Sequence, residues 1–283
     1  MSGDMTFQLY HGDCIEIMRG LPDASIDAVI TDPPYPEIDR EYGRMSEADW
    51  WDMMMGVCVE VRRLLKPTGS AVFILQPNSR KVGSMRGWLW EFMAWVCRDW
   101  NMVQDVWWWN TTTLPTGGVK SGLSRSSIKS CVWCGDPSCY RDQALVLLEP
   151  HKLAEYHSRY YRDKTQSSPS GHVVKPSSHL SFEKNGGVSP FNLLPIGVSG
   201  VATENAGSNG HGAGTPLELA KWWTRYIVPP GGTVLDPFVG SGTMMLAAMA
   251  YDCHGIGIDK MAKYIDIAQS RVDSAKLPLL DAA

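Results

Sequence analysis

Nothing in the 283-residue chain approaches the roughly 20 uninterrupted apolar residues that a membrane-spanning helix needs. The opening residues, Met1 to Thr6, contain no apolar core of a secretion signal, so neither a membrane partner nor export is expected. A disulfide framework is unsupported as well. Seven cysteines is an odd count, with Cys14, Cys58, Cys97 and Cys253 scattered through apolar segments and only Cys131, Cys134 and Cys139 grouped. That usage suits a reducing cytosol. An excess of positive charge is also missing: the net charge of −4 carries no global signature of a polyanionic partner. The charge is unevenly spread, however. Residues 119–190 hold ten Lys/Arg against six Asp/Glu, or +4, leaving 16 against 24, or −8, for the rest of the chain. The same stretch holds four of the seven histidines. A GxGxxG spacing is absent, which argues against an ordinary dinucleotide site.

What is present is an alternation of short apolar strands and amphipathic helices, the pattern of a doubly wound α/β sheet. Residues 7–11 read as a strand closed by Gly12-Asp13, and residues 14–21 as a helix. Residues 26–31 form a β-branched run that must end at Asp32-Pro33-Pro34-Tyr35, because consecutive prolines cannot donate to a sheet. Residues 36–48 are charged and unpatterned and are expected to be a mobile loop over that motif. A helix capped by Ser46 should run to Leu65 and stop at Lys66-Pro67-Thr68-Gly69. Further strands are expected at 71–75, 103–109 and 143–148, with a Trp-rich helix at 88–100. From about 150 to 214 the pattern breaks, and basic residues interleave with aromatics (Tyr156, Arg159, Tyr160, Tyr161, Arg162, Lys164). Such a segment can contact phosphates and stack on bases. Order returns with a helix over 215–227, Thr215 as its cap and Pro216 at its first position.

Two constellations carry chemistry. The first is Asp32 to Tyr35, a rigid set of acceptors (the Asp32 carboxylate and Pro33 carbonyl) beside an aromatic ring, suited to an exocyclic amino group of a nucleobase. The second is strand 233–235, then Asp236-Pro237-Phe238-Val239-Gly240-Ser241-Gly242-Thr243, then a helix, then strand 254–258 ending at Asp259. Glycines admit close backbone approach, and an acid ending the next strand is placed for ribose hydroxyls. Cys131-x2-Cys134-x4-Cys139 has two readings: a Cys3His zinc site completed by His151 or His157, or a packed β-ribbon around Trp133.

The two motifs together, in this order and both at strand ends, resemble the S-adenosylmethionine-dependent DNA amino-methyltransferases, in the permuted β group. The resemblance covers residues 7–110 and 211–275. It implies a catalytic core in two parts, 1–149 and 211–283, with a target-recognition insertion at 150–210. It implies S-adenosyl-L-methionine as cofactor, held by Phe238, Gly240, Ser241, Gly242 and Thr243, with Asp236 near its amino group and Asp259 on its ribose. Asp13, beside Cys14, would reach the cofactor adenine, and Thr215 would help complete the methionine pocket. Relatives often show His-Pro and Lys-Pro where this chain has His211-Gly212 and Thr215-Pro216. Catalysis would rest on Asp32, Pro33, Pro34 and Tyr35, acting on a base flipped out of double-stranded DNA. An acid at the first motif position goes more often with adenine N6 than with cytosine N4, so adenine is expected and N4-cytosine is the alternative. No cysteine follows a proline, which excludes the C5-cytosine nucleophile. A homodimer, a cognate restriction endonuclease and the cytoplasm of a bacterial or phage-infected cell complete the expected setting.

Overall fold

The computed structural model describes residues 5–41, 43–112, 123–124, 126–147, 189–197 and 214–280, with side chains to 275. The insertion expected at 150–210 therefore lies outside the described residues except at 189–197, as do His151, His157 and His211. Contacts divide the chain into two compact units, residues 1–141 with 192–283, and residues 142–191.

The larger unit begins with β1 (Phe7–His11), α1 (Cys14–Arg19), β2 (Ile26–Thr31), α2 (Glu47–Leu64) and β3 (Leu65–Leu75). A hairpin of β4 (Ser79–Lys81) and β5 (Ser84–Met85) leads to α3 (Trp88–Asp99), β6 (Met102–Trp109) and β7 (Ile128–Gly135). After the second unit come β8 (Leu193–Pro195), α4 (Leu217–Ile227), β9 (Thr233–Asp236), α5 (Thr243–Met249), β10 (His254–Asp259) and α6 (Ala262–Leu280).

Eight strands form one sheet in the order β1-β10-β9-β2-β3-β7-β6-β8. The first five are mutually parallel, β7 runs antiparallel to β3 and β6, and β8 pairs parallel with β6. This is the mostly parallel, helix-covered sheet anticipated from the alternation. Strand β2 is buried at all six positions, as a central parallel strand covered on both faces must be. One face packs Trp50, Met54, Val57 and Leu64 of α2 and Trp88, Phe92 and Val96 of α3 against Phe73, Val132 and Cys134. The other face receives α4, whose Trp223 meets Trp133 of β7 edge-on at 5.7 Å.

Four expectations need correction. Residues 143–146 form a 3-10 turn capped by Asp142, within the smaller unit, and are not a sheet strand. The segment Lys66 to Gly69 does not separate helix from strand: β3 starts at Leu65, and its pairing with β2 shifts register between Leu65 and Ser70, absorbing Pro67, which has no N–H to donate. At α4, Pro216 occupies the cap position and makes no side-chain cap bond, while Thr215 turns its hydroxyl elsewhere. Finally, Leu193–Pro195 joins the core sheet through β6, so the core resumes before residue 211. The loop after the motif is also less free than its charges suggested. Arg44 grips Glu37 at 2.6 Å and holds its carboxyl below the usual range, and the Glu37 amide donates to Met45 O at 2.7 Å.

Candidate active site

Parallel pairing of β1, β10, β9 and β2 brings four acids to one edge of the sheet. His11 is in register with Asp259, and Gly257 with Asp236, so Asp13, Asp259, Asp236 and Asp32 all stand at or just past carboxyl ends. Open α/β sheets hold ligands at that edge. The two sequence motifs converge through hydrogen bonds. Thr31 Oγ1, one residue before the Asp-Pro-Pro-Tyr segment, donates to Asp236 Oδ1 at 2.6 Å.

Burial and the neighbouring Asp259 and Asp32 push the Asp236 carboxyl up to about 7, against the opposing pull of the Thr31 hydroxyl and the Phe238 amide. Asp259 is held differently. Its Oδ2 accepts the Gly240 amide at 3.1 Å and its Oδ1 accepts the Met261 amide at 2.8 Å, so the acid also shapes the glycine turn. Gly240 (φ +48°) and Gly242 (φ +82°) take left-handed conformations that only glycine adopts without strain. Arg271 of α6 fastens that turn, donating to Ser241 O at 2.6 Å and to Ser241 Oγ at 3.0 Å. Thr243 opens α5 immediately after it. Asp13 spends Oδ1 as the cap of α1, accepting from the Ile15 and Glu16 amides. Beside it, burial and the Asp13 charge push the Cys14 thiol up to about 12, so it is neutral.

The tetrapeptide is seated by the Trp-rich helices. Trp50 Nε1 donates to Pro34 O at 2.8 Å. Trp88 Nε1 donates to Asn78 Oδ1 at 3.0 Å, and Asn78 Nδ2 to Pro36 O at 2.7 Å. The Tyr35 ring is buried and lies 6.3 Å from Trp88 at an interplanar angle of 26°. Its hydroxyl donates to Asp32 Oδ1. Asp32 Oδ2 accepts from Lys129 Nζ at 3.0 Å and from Thr215 Oγ1 at 2.9 Å.

Several of these partners were not anticipated from sequence: Lys129, Trp50, Asn78, Arg271 and the Asp32 contact of Thr215. A signal for Lys129 was available. Ile128–Gly135 is a strand, so its period of two places Lys129, Cys131 and Trp133 on one face and Val132 and Cys134 on the other. Cys131 faces Trp223, whereas Cys134 packs with the α2–α3 cluster and contacts Ala71 O at 3.5 Å. Two cysteines on opposite faces of a paired strand cannot ligate one ion, so Cys131 and Cys134 favour the ribbon reading. Among the described residues no group of three His, Cys, Asp or Glu side chains could hold a metal, and no helix is long and apolar enough to cross a membrane.

A family model described as DNA methylase matches residues 26–270. The type II methyltransferase M.PvuII of Proteus hauseri is 28% identical over 91% of this chain and 81% of its own length. M.ScaI of Streptomyces caespitosus is 24% identical over 94% of this chain and 81% of its own. Among solved structures, one titled as the cytosine-N4-specific PvuII DNA methyltransferase superposes with a TM-score of 0.70 at 19% identity, covering 98% of this chain and 94% of that one.

Proposed function

The chain belongs to the DNA methylase family, and from that membership we propose that it transfers the methyl group of S-adenosylmethionine to the exocyclic N6 amino group of adenine in duplex DNA. The observation that carries the reading is the meeting of the two motifs: Thr31 bonds Asp236, and Thr215, just before α4, bonds Asp32.

The residues present fit the cofactor. Asp236 is a buried carboxyl whose described partners are a hydroxyl and an amide, and an ammonium group beside it would supply the counter-charge that burial calls for. Asp259, the acid that ends β10 and holds the Gly240 and Met261 amides, would take the ribose hydroxyls. Gly240, Ser241, Gly242 and Thr243 would line the methionine half with Phe238; Thr215 would border it. The Asp13 carboxylate, with Oδ2 outside the cap, would reach the adenine beside Cys14.

S-adenosylmethionine supplies an electrophilic sulfonium methyl, so the protein needs no covalent intermediate. Its own task is to make a poor nucleophile adequate. Asp32 and the Pro33 carbonyl would accept hydrogen bonds from the amino group, raise electron density on its nitrogen and fix its direction. The Pro34 carbonyl is committed to Trp50 and serves to hold the segment still. Tyr35 borders the flipped base and fixes the Asp32 rotamer through its hydroxyl.

A second reading, N4-cytosine, is favoured by the likeness to the structure titled cytosine-N4-specific. Both amines offer two N–H donors, so the acceptor set serves either. Tritiated-methyl transfer to plasmid DNA followed by nucleoside digestion tests both: N6-methyldeoxyadenosine is expected, N4-methyldeoxycytidine overturns the adenine assignment, and absence of both overturns amino methylation.

A further inference from the structure

Lys129 places a cation where an amino group has to go. Its Nζ lies 3.0 Å from Asp32 Oδ2, 5.3 Å from the Tyr35 ring centroid and 5.1 Å from that of Trp108. Trp108 and Lys129 are register partners on β6 and β7, so the ammonium is presented by the antiparallel half of the sheet to a carboxylate at the end of the parallel half. The pair is largely removed from water, with side chains 16% and 19% exposed. The Tyr35 hydroxyl takes Asp32 Oδ1 and Thr215 joins Lys129 on Oδ2, so donors of the chain itself engage both oxygens. A positively charged nitrogen, donating to this carboxylate over this ring, has the charge and contacts that the target nitrogen acquires as it takes a methyl group.

We propose that Lys129 is the resting occupant of the target-amino position, a positioning residue that holds Asp32 until the target nucleotide of duplex DNA displaces it. The inference rests on the amino-methylation reading. Its energetic basis is simple. Against Asp32 an ammonium adds the attraction of opposite charges, little screened at this burial, to a hydrogen bond that a neutral amine could also make, and cation–π contact adds to it. A neutral amino group offers Asp32 less than the ammonium does, so a loose nucleobase does not displace Lys129. A duplex brings further binding energy, and its phosphates offer the released ammonium a new counter-charge. Lys129 thereby sets specificity, excluding free nucleosides and favouring a flipped base.

The test uses the full-length protein saturated with S-adenosylhomocysteine and calorimetric titration with 2′-deoxyadenosine, 2′-deoxycytidine and, as a probe without an exocyclic amino group, thymidine. In K129M one of the amino nucleosides is expected to bind about tenfold more tightly than to wild type, the order of one partly buried charge-assisted bond. Thymidine affinity should stay as in wild type, and K129R should return the amino nucleosides to wild-type weakness. Equal or weaker binding by K129M, or an equal gain for thymidine, overturns the proposal. K129Q repeats the measurement with a polar side chain, and loss of S-adenosylhomocysteine binding in both variants would make Lys129 structural and overturn it too. Methyl transfer to plasmid by the wild type is scored separately: its absence sinks the underlying reading, whereas its presence beside an unchanged K129M sinks only this one.

Discussion

Replacing Asp236 with asparagine separates what burial does to this carboxyl from what a cofactor would do for it. The group is raised from its ordinary 3.8 to about 7 by desolvation. At about 1.4 kcal/mol for each tenfold change in proton affinity, ionising it in the empty protein costs about 4 kcal/mol. Between about pH 4 and 7 the folded state holds a proton that the unfolded chain has released. Stability of the cofactor-free protein therefore falls as pH rises through that window and is flat above it. An amide in its place would titrate nowhere. The amide oxygen can still accept from Thr31 and Phe238, although more weakly than a carboxylate. The bonds to the charged form are already contained in the raised value, so D236N should be more stable than wild type by about 4 kcal/mol at pH 8 and by only about 1.5 kcal/mol at pH 5, where the penalty runs only from about pH 4 to 5. Urea unfolding of both proteins at the two pH values reads the difference directly. Parallel pH profiles would refute the reasoning, because they would mean Asp236 ionises without penalty. The same substitution reports on function. Wild-type affinity for S-adenosylhomocysteine should rise from pH 6 to 7.5 as Asp236 ionises opposite the ligand's ammonium, whereas D236N should bind weakly and with a flat profile. Greater stability joined to weaker binding is the expected pattern for a site residue strained by its own burial.

Asp32→Ala should abolish tritiated-methyl incorporation into plasmid DNA while calorimetric S-adenosylhomocysteine binding survives; turnover within tenfold of wild type would remove Asp32 from the chemistry. Trp50→Phe deletes the bond to Pro34 O but keeps an aromatic ring in the core, and should lower kcat about tenfold, the equivalent of roughly 1–1.5 kcal/mol for one hydrogen bond. Initial-rate assays at saturating DNA check it, and unchanged kcat would show that the motif is held rigid by its prolines alone. Gly242→Ala places a Cβ 3.0 Å from Ala268 Cβ and 3.1 Å from its Cα at φ +82°, so it should destabilise by about 2 kcal/mol in urea unfolding and loosen cofactor binding.

The parallel half of the molecule was legible in the sequence because its signals are local. Strands β2, β9 and β10 are short apolar runs, each ending in an acid or followed at once by one, and parallel pairing brings those acids to one edge. Ser46 was readable as a cap, and it does accept the Asp49 amide at 3.1 Å. The antiparallel half was legible only in part: the strand expected at 103–109 is β6, whereas β7 was offered only as one of two readings of its cysteines. Residues 128–135 carry polar and sulfur-bearing positions amid apolar ones, so the eye is drawn to a cysteine spacing in place of a strand buried on both faces. Gln143 to Leu148 is apolar enough for a strand, yet only tertiary pairing decides whether such a run enters a sheet, and these residues belong to the other compact unit. The tryptophans of α2 and α3 were readable as core, but not as donors: indole nitrogens find partners through tertiary geometry, which hydropathy does not encode.

The proposed roles divide along the same line of the sheet. Everything assigned to the cofactor, Thr215 aside, comes from β1, β9, β10 and the turns and helix starts that follow them, elements whose spacing is set by parallel registers. Asp32 stands at the boundary, fixed on one side by Thr31 and Asp236 and approached on the other by Lys129 from β7. A shift of β7 by one residue would turn Lys129 to the opposite face and bring Ser130 toward Asp32, leaving the cofactor side intact. On the proposed reading, changes in the antiparallel strands should therefore alter how readily a base enters, whereas changes at the ends of the parallel strands should alter whether the reaction runs at all.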